Sequence, residues 1–153
     1  MASLIDILIS TLEQENTEYE SLLELGLEKT GIIIRNDVKE LSRMVEKEQL
    51  VVDRIIVLEK KRTEVSNDIA DVLNKDVKTL TLTRLIELLS SQEKERNALV
   101  SIHDKLSLTM KRMVELNDRN KALLEESMEM LQFEMNLVQS MRRGPETNNY
   151  GRD

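Results

Sequence analysis

His103 is the only histidine of the chain, cysteine is absent, and no second histidine or acidic cluster of ligand spacing stands near it. An imidazole without that company neither holds a metal nor forms half of a nucleophile–base pair, and no Gly-rich phosphate loop is present. The chain therefore reads as a non-enzyme with no cofactor and no metal. The chemistry its side chains do offer is non-covalent. Glu15 and Lys29 are charged residues on one apolar stripe, Glu48 and Arg62 on another, and each pair is separated by 14 residues, two heptads. Further on, "MEMLQFEMNLVQSM", Met128 to Met141, holds four of the eight methionines and the only phenylalanine. The first group offers ion pairs and the second an apolar contact surface.

Both groups need long helices to position them. Leu, Glu, Lys, Met and Ile abound, while 4 glycines, 1 proline and three aromatic residues leave little for a sheet protein. The first helix is expected over about 3–35, capped by Ser3 with Asp6 in a capping box, with a stripe of Ile5, Leu8, Leu12, Tyr19, Leu22, Gly26 and Ile33. "RND" at 35–37 punctuates the chain: Asn36 or Asp37 can cap a second helix over about 37–74, closed by Asn74. Its expected stripe is Val38, Leu41, Val45, Val52, Ile55, Leu58, Val65, Ile69 and Val72. So short a link makes the two an antiparallel hairpin.

"KDVKTLTLTRLIELLS" reads as a connector with one short helix near 83–90, after which Ser90 and Glu93 open a third long helix over about 91–142. Its expected stripe runs Leu99, Ile102, Leu106, Met110, Met113, Asn117, Asn120, Leu124, Met128, Leu131, Met135 and Val138. Gly144-Pro145 is expected to end it, leaving residues 144–153 as a polar, flexible tail behind a single domain over 1–143. The fold class predicted is all-α: an elongated up-down-up antiparallel bundle of three long helices and one short connecting helix, with coiled-coil character.

In that hairpin Glu15 falls about six residues, roughly 9 Å, from level with Arg62, and Lys29 is offset identically from Glu48. Helical side chains lean towards their own N-terminus, which brings both pairs together and fixes the hairpin register. Four solvated charges at the edge of a stripe are the alternative. Asn117 and Asn120 leave a similar choice between a register device and a wetter stretch of helix.

The methionine-rich stretch has more apolar residues than one stripe needs. Met130, Phe133, Leu137 and Met141 fall roughly 135° around the helix from the bundle stripe, in a sector where Leu116 and Leu123 upstream alternate with Arg119 and Glu126. The third helix also outruns its neighbours after about residue 125–129, by roughly 20 Å. An exposed, methionine-rich apolar segment is a binding surface that repacks around its partners. A homodimer partner, in solution or in a crystal, or a fold-back of the chain are the other ways to cover it.

Composition narrows the partners. A net charge of −7 without a basic stripe argues against nucleic acid. No stretch approaches the roughly 18 uninterrupted apolar residues of a membrane span. "MASLIDILIS" lacks the basic start of a secretion signal, and the absence of cysteine fits a cytoplasmic protein.

Several segments, taken in order, resemble the FlgN family of flagellar export chaperones. They are Tyr19-x-x-Leu22-Leu23, "NDVKEL" at the hairpin, "LEKKR" ending in Arg62, "TLTRLIELL", Asn117-x-x-Asn120 with Leu123-Leu124, and Tyr150-Gly151. The resemblance covers nearly the whole chain. It implies a cytoplasmic chaperone of type III export that holds the hook-associated proteins FlgK and FlgL and delivers them to the export apparatus. It places cargo binding on the C-terminal helix, hence on Met130, Phe133, Leu137, Met141 and Leu123, and makes Tyr150 a candidate contact with the export gate. A self-associating coiled-coil scaffold or adaptor is the alternative reading.

Overall fold

The computed structural model describes the backbone of residues 2–148 and the side chains of residues 4–142. Four helices follow one another: α1 (Ala2–Ile34), α2 (Val38–Leu73), α3 (Leu82–Leu88) and α4 (Glu93–Asn148). No strand occurs among the described residues.

Two asparagines end the first two long helices in the same way. Asn36 (φ 55) and Asn74 (φ 54) adopt the left-handed conformation that asparagine tolerates better than most residues. The amides that follow then turn back: Asp37 N–H donates to the Ile32 carbonyl at 3.3 Å, and Lys75 N–H to the Ala70 carbonyl at 2.9 Å. These are the long bonds of a Schellman motif. Asn36 thus closes α1 while Asp37 opens α2, its carboxylate accepting from the Glu40 amide at 3.1 Å. Glu40 does not complete a capping box; its carboxylate holds Arg43 instead.

Four expected boundaries move. α1 begins at Ala2, so Ser3 lies inside the helix, and its side chain falls outside the described residues. Thr81 rather than a residue near Thr83 starts the short helix, its hydroxyl accepting from the Arg84 amide at 3.1 Å. Ser90 does not cap α4: Gln92 N–H donates to the Leu89 carbonyl at 2.9 Å, and that extra turn delays the helix to Glu93. At its far end α4 continues through Gly144-Pro145 to Asn148. A proline removes one helical hydrogen bond, to the carbonyl four residues back, and where water can replace it the helix is weakened without being ended.

α1 lies between the other two long helices. It packs along α2 and along α4, and among the described residues no Cα of α2 comes within 8 Å of one of α4. All three seams follow a 3.5-residue repeat. On α1 it is Ile5, Leu8, Leu12, Glu15, Tyr19, Leu22, Gly26, Lys29 and Ile33, all buried or half-buried. On α2 it is Met44, Glu48, Val51, Ile55, Leu58, Arg62, Val65 and Ile69. On α4 it is Leu99, Ile102, Leu106, Thr109, Met113, Leu116, Asn120, Leu123 and Ser127.

Two of the expected stripes are corrected by this repeat. Val38, Val45 and Val72 are exposed, while Met44 and Val51 are buried in their place. Met110 and Asn117 face outward, while Thr109 and Leu116 are buried. A strict seven-residue period keeps a seam facing its neighbour. One step of four from Leu106 to the apolar Met110 is enough to leave that period.

The two ends of the structure differ. Where α1 starts and α2 ends, Ile5, Leu8, Leu12, Val65 and Ile69 form one core with Leu99, Ile102 and Leu106 of α4, and Leu85 of α3 with Leu89 at its C-cap closes it. Each fully buried aliphatic side chain there contributes about 1.5–3 kcal/mol. Near the hairpin the buried side chains thin out to Ile32, Ile33, Met44, Val51 and Leu116.

Candidate partner-binding surface

Towards the hairpin α1 and α4 are joined by hydrogen bonds. Asn120 donates its side-chain amide to the Gly26 carbonyl at 2.9 Å and accepts the Thr30 hydroxyl at 2.6 Å. Gly26 permits this approach, because a Cβ there would stand 2.7 Å from Cδ2 of Leu116. α1 ends at Ile34 soon afterwards, so helices of equal rise run out of contact near Leu124, with Ser127 the last half-buried residue of α4.

From Met128 to Arg142 every side chain is exposed. Met128–Asn148 therefore extends about 30 Å of helix beyond the hairpin at 1.5 Å per residue. Eight large apolar side chains lie on it, among them Phe133 at 63% and Met141 at 72% exposure. They divide into two sectors. Met130, Leu137 and Met141 follow Leu123 and Ser127 in the seven-residue register of the seam, with Phe133 beside them and Glu134 interrupting. Met128, Leu131 and Met135 follow Leu124 on the other flank. The sector that holds Leu116 and Leu123 is thus the continuation of the seam itself, and the expected bundle stripe is its flank.

That flank leads back into a furrow. Because α2 and α4 stand apart, a groove of about 450 Å³ opens between them over α1, with Leu22 and Ile33 beneath it. Val45, Gln49 and Val52 form one wall; Met113, Asn117, Lys121 and Leu124 form the other. Lys29 and Glu48 close its floor with an ion pair of 2.9 Å.

The second ion pair lies nearer the core. Arg62 Nη1 stands 3.3 Å from Oε2 of Glu15, whose side chain is wholly buried while the guanidinium is partly exposed. Neither carboxylate oxygen accepts a hydrogen bond from a described residue. Burial raises the Glu15 pKa; Arg62 opposes that and Glu59 adds to it. Tyr19, donating to Glu59 at 3.1 Å, is pushed up to about 12 by burial first and by that bond and charge second.

The structure therefore brings Glu15 to Arg62 and Lys29 to Glu48, and places Met130, Phe133, Leu137 and Met141 together on bare helix. Leu123 stands apart from those four, half-buried in the seam, and Tyr150 lies outside the described residues. Sequence reasoning missed the furrow and the Gly26–Asn120 contact. A glycine on an otherwise bulky stripe was the one signal for the latter. Among the described residues no group of three or more His, Cys, Asp and Glu is placed to hold a metal, and no helix is long and apolar enough to cross a membrane.

A long uncovered apolar helix suits a protein that holds other proteins. The family model described as FlgN protein matches residues 1–153. The chain belongs to the FlgN family. No curated protein and no solved structure matches it. FlgN proteins are flagellar export chaperones; they bind flagellar proteins, and the family is not one of known enzymes. Flagellum biogenesis and protein export are accordingly the processes in which this FlgN protein acts.

Proposed function

We propose that this FlgN protein is a cytoplasmic chaperone that holds terminal segments of the hook-associated proteins FlgK and FlgL on the overhang of α4 and delivers them to the type III export apparatus. The observation that carries the proposal is the run of eight exposed apolar side chains from Met128 to Met141. A monomeric protein seldom leaves so long an apolar surface open without a use for it.

A cargo segment that is disordered alone can fold as an amphipathic helix against Met130, Phe133, Leu137 and Met141, burying apolar surface on both sides. Ordering that segment costs free energy, so binding is moderate and reversible, as delivery requires. Leu123 marks where the site meets the bundle, and Tyr150 is the proposed contact with the export gate. An up-down-up course of the three long helices suits this role, since the hairpin braces α4 up to Leu124 and leaves the rest accessible. The Glu15–Arg62 and Lys29–Glu48 pairs then act structurally, fixing the register of the brace.

The experiment is titration calorimetry of purified FlgK and FlgL against the full chain and against Phe133→Ala. Binding by the parent and about thirtyfold weaker binding by the variant are expected, on the order of 2 kcal/mol for a buried aromatic anchor. Light scattering of the chain alone separates this from a self-associating scaffold: a monomer is expected, and a tight dimer counts for the scaffold.

A further inference from the structure

The furrow between α2 and α4 has no role in the function proposed above. We propose that it is the bed of one partner helix, a segment of the same cargo, which lies in the furrow and runs out along the Met128–Met135 flank of the overhang. We infer further that this helix carries an apolar stripe bordered by carboxylates. The inference rests on the reading of the overhang as the cargo site and adds to it a second contact surface on the opposite flank from Phe133.

Continuity is the first support. Leu124 closes the furrow wall, and Met128, Leu131 and Met135 follow it at helical spacing, so the wall passes beyond the hairpin without a break. From Met113 to Met135 it measures about 33 Å, the length of one helix of about 22 residues. A fourth helix over α1 between two separated helices also completes the arrangement that buries all four apolar faces. Val45 is half exposed in the furrow wall, an apolar residue that nothing in the described chain covers.

Charge gives the second. The chain has 29 acidic residues against 22 basic ones, yet Gln49 on α2 and Asn117, Lys121 and Leu124 on α4 line the furrow without a carboxylate. The one acidic group there, Glu48, is engaged by Lys29 at 2.9 Å. Lys121 has no acidic partner among the described residues, and Arg142 continues the same flank past Val138. A helix bordered by Asp or Glu meets these two cations, and the Asp53 carboxylate at the α2 rim is engaged by the Gln49 amide at 2.8 Å.

The test uses the full chain and a fluorescently labelled terminal segment of FlgK as probe. Gln49 and Lys121 are exposed, so Gln49→Glu and Lys121→Glu are expected to fold as the parent does, verified by thermal melts. Together they are expected to weaken binding at least tenfold. Gln49→Lys, of similar size and opposite charge, is expected to hold affinity within twofold or raise it. If Phe133→Ala weakens binding while the furrow variants bind like the parent, the furrow proposal falls and the overhang reading stands. Equal losses from Gln49→Glu and Gln49→Lys overturn the carboxylate border. No binding by the parent, or binding indifferent to every variant, overturns both. A dimer of the chain alone that the furrow variants dissolve assigns the furrow to a second copy and likewise overturns the proposal.

Discussion

Asn120 reaches across from α4 to donate its amide to the main-chain carbonyl of Gly26, 2.9 Å away, shortly before α4 leaves the hairpin. A side chain bonded to another helix's backbone fixes both the distance and the axial position of the two helices. It sets where the overhang begins.

Asn120→Ala removes this bond and the one from Thr30, and is expected to destabilise the protein by about 1–2 kcal/mol. Asn117→Ala, three residues away and exposed, is expected to change stability by less than about 0.5 kcal/mol. Urea unfolding of the two variants measures the difference. Equal effects would show that Asn120 is no clamp.

Glu15 and Arg62 are a buried carboxylate and its partly exposed counter-ion. Arg62→Met strands the carboxylate, and because the guanidinium is partly solvated the expected cost is about 2 kcal/mol rather than the larger loss of a fully buried pair. Adding Glu15→Leu is expected to recover most of it. A double-mutant cycle with no coupling energy would remove the pair from any account of the hairpin register.

The same carboxylate makes stability depend on pH. Burial, outweighing Arg62, raises the Glu15 pKa above its ordinary 4.5. The folded state then holds the proton more tightly than the unfolded one, and this contribution to stability is complete below 4.5 and lost as pH rises through the raised value. Glu15→Gln keeps the neutral form at every pH. Its melting temperature is therefore expected to exceed the parent's most at alkaline pH, with the gap closing towards 4.5. A gap that is constant or widens on acidification would falsify the assignment.

Much of this was legible in the sequence. Asn36, Asp37 and Asn74 declared the ends of two helices because their short polar side chains favour caps and left-handed turns. The α1 seam could be read residue by residue, since its apolar members keep to alternating steps of three and four. On α2 and α4 the pattern misleads, because Val38, Val45 and Met110 are apolar without being in the seam. Helical spacing marks them as core, whereas Val45 lines the furrow. No one-dimensional pattern announces that two helices packed on a third fail to meet each other. The bare stretch from Met128 was legible from helix lengths, but which of its two sectors continues the seam was not. The answer hung on a single residue of phase at Thr109.

The central claim is that the overhang binds cargo without supporting the fold, and one paired measurement on Phe133→Ala tests it most directly. Thermal stability and FlgK or FlgL affinity are measured on the same preparation, with Leu106→Ala as the core reference, since Leu106 is 9% exposed. Leu106→Ala is expected to cost about 3 kcal/mol of stability. Phe133→Ala is expected to leave stability within about 0.5 kcal/mol and to weaken cargo binding about thirtyfold. A loss of stability matching that of Leu106→Ala, with cargo affinity unchanged, would contradict the account and return Phe133 to the core.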